Sequence, residues 1–368
     1  MDNFTYCAPC LFGLEGLVAD ELKRLRMADV KAEDGRVYFS GDAAALSQAS
    51  VWLRCAERVL LVLGSFEART FDELFEGVKA LPLEQFLPKD AQFPVKGHCL
   101  NSALMSVTDC QKIIKKAAAV RLGQAYSISR MPESGALYQL QFFLRKDRVT
   151  LYLDTTGRGL YKRGYRAESG EAPIRETLAA GLVLLSRYRG REPFFDPFCG
   201  SGTIPIEAAL IAKNRASGLM RDFAFSSWPG FREHLPAAKE EAKTREFSGD
   251  YQITGSDIDE AAVRLARDNA KKAGVSECIR FDVADARAFS GEAGGKVVAN
   301  PPYGLRMLEQ EDAAALIAAF GEATRDGTLD LYLLSADPEF ERHFGRKAVK
   351  RRKLYNGMIR CELYQYYR

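Results

Sequence analysis

The run Val297-Val298-Ala299-Asn300-Pro301-Pro302-Tyr303-Gly304 ends an apolar segment on a side-chain amide, two prolines and an aromatic ring. These residue types suit one particular chemistry. The exocyclic amine of a nucleobase is a poor nucleophile, because its lone pair is delocalised into the ring. Asn300 Oδ1 and the Pro301 carbonyl can each accept one proton of such an amine, turning the lone pair toward a methyl donor and stabilising the charge that develops on nitrogen. Pro301 and Pro302 fix the direction of that carbonyl. Tyr303 offers a face on which the base can stack, worth roughly 1–3 kcal/mol. No titrating base is required, and orientation of donor and amine would carry much of the rate, with a ceiling of about 7–11 kcal/mol. The bland alternative is a rigid Pro-Pro turn.

Three earlier segments end in the same way, on a polar residue after an apolar run. Phe195-Asp196-Pro197-Phe198-Cys199-Gly200-Ser201-Gly202-Thr203 is an acidic strand end followed by a glycine turn, and glycine there lets the backbone approach a ligand that a Cβ would exclude. A P-loop is ruled out because no Gly-Lys-Ser/Thr follows, and a dinucleotide fingerprint because Pro205 occupies its third glycine position. The S-adenosylmethionine pattern remains, beside the plain reading of a tight turn. Ile253-Thr254-Gly255-Ser256-Asp257, followed by Ile258, ends in a carboxylate that could accept both ribose hydroxyls of an adenosyl group; taken singly it reads better as a helix N-cap, as does Asp259. Asp285 could accept from the adenine amino group, with Ala286 offering a backbone donor, or it is a solvated loop carboxylate. It is the order of all four on successive strand ends that favours one ligand site, which Asn300 also borders.

Such a site needs a scaffold of strands alternating with helices. The periodicity predicts helix 175–185, strand 193–196, helix 203–213, strand 252–257, helix 260–273, strands 279–283 and 296–299, helix 311–320, strand 330–334 and a last pair near 348–353 and 358–364. That alternation specifies an α/β, Rossmann-like, open and mostly parallel sheet covered on both faces, with its ligand at the carboxyl ends of the strands. The N-terminal half differs, reading as α+β: helices over 14–25, 43–54 and 108–122, strands over 36–39, 59–66, 138–144 and 148–154, the last two forming a hairpin around Lys146-Asp147. The Gly-, Arg- and Tyr-rich segment 155–171 marks the junction, near residue 165.

At 368 residues and 47% hydrophobic, the chain is long and apolar enough for two or three domains. A formal charge of +3 does not by itself imply nucleic acid; the distribution of charge decides. Neither a long apolar span nor a signal peptide is evident, so a cytoplasmic location is expected. The eight cysteines lack the density of a secreted disulfide scaffold and read as free thiols. Cys7-x-x-Cys10 is followed by no second pair, and His98, His234 and His343 stand far apart, so no metal is expected.

With these motifs on the page the chain resembles a known family, the class I S-adenosylmethionine-dependent RNA methyltransferases that carry a THUMP domain, and in particular the RlmL/YpsC group of bacterial large-subunit rRNA guanine N2-methyltransferases, long labelled N6-adenine-specific DNA methylases. The segments that carry the likeness are Arg163-Gly164-Tyr165-Arg166 with Ala172-Pro173-Ile174-Arg175-Glu176-Thr177-Leu178, Arg221-Asp222-Phe223-Ala224-Phe225 with Trp228, and Lys353-Leu354-Tyr355-Asn356-Gly357-Met358-Ile359. The resemblance implies a ferredoxin-like subdomain at 1–55, a THUMP RNA-binding domain at 56–165 and a methyltransferase domain at 166–368. It implies that Glu176 and Thr177 border the cofactor pocket, that S-adenosylmethionine is the donor and that rRNA is the partner. Longer members fuse a second methyltransferase, and this chain stops at Arg368, so only the exocyclic-amine activity is implied.

Residues 214–249 lengthen the step from Gly202 to Asp257 well beyond a simple strand-helix-strand unit. This insertion is expected to form part of the substrate entrance, or else to be an ordinary packing insertion. RNA contacts are expected from Arg158, Lys162, Arg163 and Arg166 at the junction, and from Lys350, Arg351, Arg352 and Lys353 within a run of six basic residues in eight, 346–353; a solvated basic face is the alternative. The target base must be unpaired or flipped out to reach Asn300. Rival functions are an adenine-N6 methyltransferase on nucleic acid, a protein-glutamine methyltransferase sharing the motif, and a non-catalytic RNA-binding ribosome-assembly protein.

Overall fold

The computed structural model describes residues 3–166, 174–302 and 307–367, with the backbone alone for 307–310. Tyr303 and the segment 167–173, which includes Ala172 and Pro173, lie outside the described residues. In chain order the N-terminal half contains β1 (Phe4–Pro9), α1 (Glu15–Arg24), β2 (Ala28–Glu33), β3 (Arg36–Gly41), α2 (Ala43–Trp52), β4 (Leu60–Glu67), α3 (Phe71–Lys79), β5 (Val95–Leu100), α4 (Val107–Tyr126), β6 (Leu140–Arg145) and β7 (Arg148–Asp154). The C-terminal half contains α5 (Glu176–Leu185), β8 (Phe194–Asp196), α6 (Thr203–Ala212), α7 (Leu235–Thr244), β9 (Ile253–Asp257), α8 (Glu260–Ala273), β10 (Ile279–Val283), β11 (Lys296–Ala299), α9 (Met307–Ala323), β12 (Asp330–Ser335), α10 (Phe340–Phe344), β13 (Lys350–Asn356) and β14 (Ile359–Tyr366).

One seven-stranded sheet, ordered β2-β3-β1-β4-β7-β6-β5, runs through the whole N-terminal half. β4 sits inside it, bonded to β1 on one side and β7 on the other, so the expected border near residue 55 falls within a single sheet. Lys146 and Asp147 both take positive φ, 51° and 62°. This is the two-residue turn whose twist matches a tight hairpin, as expected for β6 and β7. Four elements beyond the expected ones emerge as well, β1, β2, α3 and β5. β2 is exposed along nearly all its length, which removes the alternation by which an edge strand is read. α3 begins with a reciprocal capping box between Thr70 and Glu73, a legible start signal.

The second sheet is ordered β10-β9-β8-β11-β12-β14-β13. Its pairs are parallel from β10 through β12, and β14 runs antiparallel to both its neighbours. This is the expected Rossmann-like methyltransferase sheet. Strand order reverses between β8 and β11, and the crevice at the carboxyl ends there is where an open α/β sheet binds ligands.

The insertion after α6 binds the two halves together. Gly218 N–H donates to Val51 O at 2.8 Å and Ser217 Oγ to Leu53 O at 3.0 Å, while α7 packs on α2. Trp228 is 1% exposed; its ring stacks on Tyr138, 4.6 Å between centroids, and its Nε1 donates to Leu137 O at 2.9 Å. Of the two readings of this insertion, Trp228 follows the packing one: it is a residue of the domain seam, its ring's large apolar area buried on the N-terminal half.

Candidate active site

The carboxyl ends of β8, β9, β10 and β11 surround a cleft of about 950 Å³, lined by residues from Ile174, the Asp196–Gly200 turn, Asp257, Asp285, Asn300–Pro302, α9 and Asn356. It is large enough for a nucleoside with an amino-acid tail. β8 is short because Asp196-Pro197 ends it: the Asp196 carboxyl takes the Phe198 N–H on Oδ1 at 3.2 Å. Its Oδ2 is buried and has no partner among the described residues. Burial pushes this carboxyl well above its ordinary range, and the nearby Asp257 charge adds to the push. An unpaired buried carboxylate oxygen costs free energy until a donor arrives, and an ammonium would be such a donor.

The glycines of the turn divide their work. Gly200 has φ +49° and open space where a Cβ would stand; Gly202 has φ +81°, and a Cβ there would lie 2.8 Å from Ala266 Cβ. Gly200 thus faces the cleft, whereas Gly202 lets α6 approach α8. Asp257 holds the turn in place, accepting from Gly200 N–H at 2.9 Å and from Asp259 N–H at 3.0 Å. Asp259 caps α8 itself, which leaves Asp257 spare lone pairs toward the cleft. The next residue, Ile258, lines the cleft and is 66% exposed, an apolar plate without a protein partner on its outer side. Asp285 is paired with Arg287 at 2.6 Å, whose hydrogen bonds hold its carboxyl below the usual range; Ala286 is buried beside it. Ser201 Oγ and Asn300 Oδ1 are buried without partners among the described residues. Phe198 closes the wall, edge-on to Phe320 at 5.2 Å.

These features fit S-adenosylmethionine, the donor that the sequence resemblance implies. Asp196 and Ser201 offer acceptors for the amino-acid end, Asp257 for hydroxyls, and Ile258 with Ala286 an adenine-sized slot. The acidic lining suits a ligand that carries a sulfonium and an ammonium against one carboxylate. Among the described residues no cluster of His, Cys, Asp or Glu could hold a metal, and all eight cysteines are free.

Several expected residues stand elsewhere. Arg163 is 2% exposed and pairs with the fully buried Glu207 at 3.3 Å. It also donates to Leu160 O at 2.9 Å and Arg54 O at 2.5 Å. The expectation of a phosphate contact is corrected: its donors are consumed inside the seam. Arg166 turns inward, bonded to Ile174 O at 3.2 Å and to Thr203 Oγ1, so it backs the cleft wall. Glu176 lies behind it, 3.8 Å from its Nε, and Thr177 donates to Glu57 Oε1 at 2.5 Å. Neither lines the cleft, because the first turn of α5 faces the N-terminal half; Ile174 lines it instead. Arg158, Lys162, Lys350 and Lys353 are exposed and Arg352 half-buried, while Arg351 is paired with Glu341. Residues from α9 (Asp312, Ala313, Ala315, Leu316) join the cleft without a distinctive local signal, since only the fold brings them there, and so does Asn356, from a segment that carried the family likeness but had no role assigned.

Residues 163–365 match the family described as RMKL-like, methyltransferase domain; residues 5–60 match the RlmL ferredoxin-like domain and 68–154 the THUMP domain. The chain is 41% identical, over 100% of its own length and 97% of the relative's, to the Bacillus subtilis (strain 168) protein named "Putative RNA methyltransferase YpsC". It is 34% identical over 95% of its length to "Ribosomal RNA large subunit methyltransferase K/L" of Syntrophotalea carbinolica, of which it spans 52%. The structure of SMU.472, titled "a putative methyltransferase complexed with SAH", covers 100% of this chain with 98% of its own at 38% identity and a TM-score of 0.94.

Proposed function

This chain belongs to the RMKL-like methyltransferase family, and from that premise we propose that it methylates the exocyclic N2 amine of a guanine in large-subunit rRNA. The observation that carries the reading is Asn300 Oδ1, a buried acceptor without a partner among the described residues, at the strand end beside the cofactor cleft. Such an acceptor is costly in a resting protein unless a donor fills it. Here an arriving amine supplies the donor, and Asn300 with the Pro301 carbonyl orients its lone pair. When bound, S-adenosylmethionine supplies the electrophilic methyl group. Asp196, Asp257 and Asp285 hold the donor's ends, and Phe198 and Pro301 exclude water from the space between. The match of 68–154 to the THUMP domain, and the names of the Bacillus subtilis and Syntrophotalea carbinolica relatives, favour RNA over DNA or protein. An adenine amine would meet the same acceptors, so the product nucleoside decides between the two bases.

The test is incubation with radiolabelled S-adenosylmethionine and undermodified large-subunit rRNA, followed by digestion and mass spectrometry of nucleosides. Label in N2-methylguanosine is expected. Label in N6-methyladenosine would overturn the guanine assignment while keeping the mechanism, and tight RNA binding without label would overturn the enzymatic reading.

A further inference from the structure

The motif Lys353–Ile359 has so far contributed only Asn356 to the cleft. It forms the tip of the hairpin between β13 and β14, where Asn356 pairs with Ile359 and the two turn residues are Gly357 and Met358. Gly357 has φ +63°, as a tight hairpin turn with glycine first requires. The turn makes no apolar demand on its second residue, and a polar one would be ordinary there. Met358 is nevertheless 97% exposed, with Ile359 at 38% beside it. A side chain so exposed contributes nothing to folding.

Its setting is distinctive. The residue before the turn, Asn356, lines the same cleft as Asn300, so the tip starts from the rim of that cleft. The stem is held from behind: a Cβ on Gly13 would stand 2.7 Å from the Lys353 carbonyl, and the Phe12 and Tyr355 rings meet edge-on at 6.0 Å. Lys350 and Lys353 are exposed along the stem, cations able to follow a phosphate backbone, and the exposed Arg360 is paired with Glu362 at 3.3 Å. A stiff, cation-flanked hairpin with one apolar tip residue has the form of the wedges that enter base steps, and an unbranched, polarizable thioether adapts to any base face.

We propose that the Gly357-Met358 turn is a base-flipping wedge: Met358 enters the RNA stack where the target nucleotide leaves it and keeps that base extrahelical while its amine lies at Asn300. This rests on the RNA reading above. Extrusion has to be offset for a paired or stacked target and not for one already single-stranded, so the residue should matter only on folded RNA.

The test uses the full chain with Met358→Ala and Met358→Leu, an undermodified large-subunit rRNA transcript, and the same transcript cut into short unpaired fragments. On the folded transcript Met358→Ala should lower kcat/KM about tenfold, the scale of one lost stacking contact. On fragments it should stay within about twofold, Met358→Leu should recover most of the loss, and S-adenosylhomocysteine affinity should not change. Equal loss on both RNAs, no loss on the folded one, or weakened S-adenosylhomocysteine binding would overturn the wedge. Wild-type protein that labels neither RNA would overturn the RNA reading and the wedge together; wild-type labelling with an indifferent Met358→Ala would overturn the wedge alone.

Discussion

Replacing Arg163 with methionine separates a seam residue from an RNA contact. The guanidinium is 2% exposed, Glu207 is fully buried, and Glu207 Oε2 lacks a partner among the described residues. Arg163→Met removes the bonded cation and leaves that carboxylate with the Tyr165 hydroxyl at 3.2 Å and the charge of the buried Arg54 nearby. Breaking a buried pair from one side costs about 3–5 kcal/mol. At about 2–4 °C per kcal/mol for a domain of this size, Tm should fall by roughly 6–20 °C. Arg163→Met with Glu207→Gln removes the stranded charge and should regain much of the loss. Differential scanning calorimetry reads the stability, and a salt titration of RNA affinity reads the alternative. A lost phosphate contact would flatten the slope of log K against log salt by about 0.7–0.9. A flattened slope with Tm unmoved would refute the buried-pair reasoning.

Asn300→Ala should lower kcat by about 10²–10³, the usual cost of one transition-state hydrogen-bonding group, with S-adenosylhomocysteine affinity retained by calorimetry; unchanged turnover would remove the amine-orienting role. Asp257→Ala should weaken that affinity by about 10- to 150-fold, since two backbone N–H groups and the ribose site depend on one carboxylate; unaltered binding would exclude it from the site. Asp196 has a raised folded pKa, so its stabilising effect is fully present below the ordinary carboxylate range near 4 and is lost as pH rises through the folded value. Asp196→Asn should therefore match wild-type Tm at low pH and exceed it increasingly above. An ammonium-bearing cofactor needs the ionised form, so wild-type affinity should rise with pH and the Asn variant's should not; a flat wild-type profile would contradict the assignment.

The amino-acid sequence alone pointed to the sheet of the C-terminal half, because β8, β11 and β12 are short apolar runs and strand segments alternate with helical ones, among which α8 buries one regular face. It also pointed to the strand ends, where Asp196, Asp257, Asp285 and Asn300 follow in order, since a parallel sheet places successive carboxyl ends on one edge. Tertiary structure decided which neighbours these residues have. Spacing marks Gly200 and Gly202 alike, yet only the packing of α8 shows that one faces the cleft and the other a helix. Arg163 and Arg166 look like two cations of one basic motif; burial against Glu207 and Thr203 turned both away from solvent. Trp228 and Thr177 were drawn into the seam for the same reason: charge and apolar area in a local sequence do not say which surface will cover them. Asn356 reached the cleft through an antiparallel strand inserted between β12 and β13, a long-range pairing that no local pattern encodes.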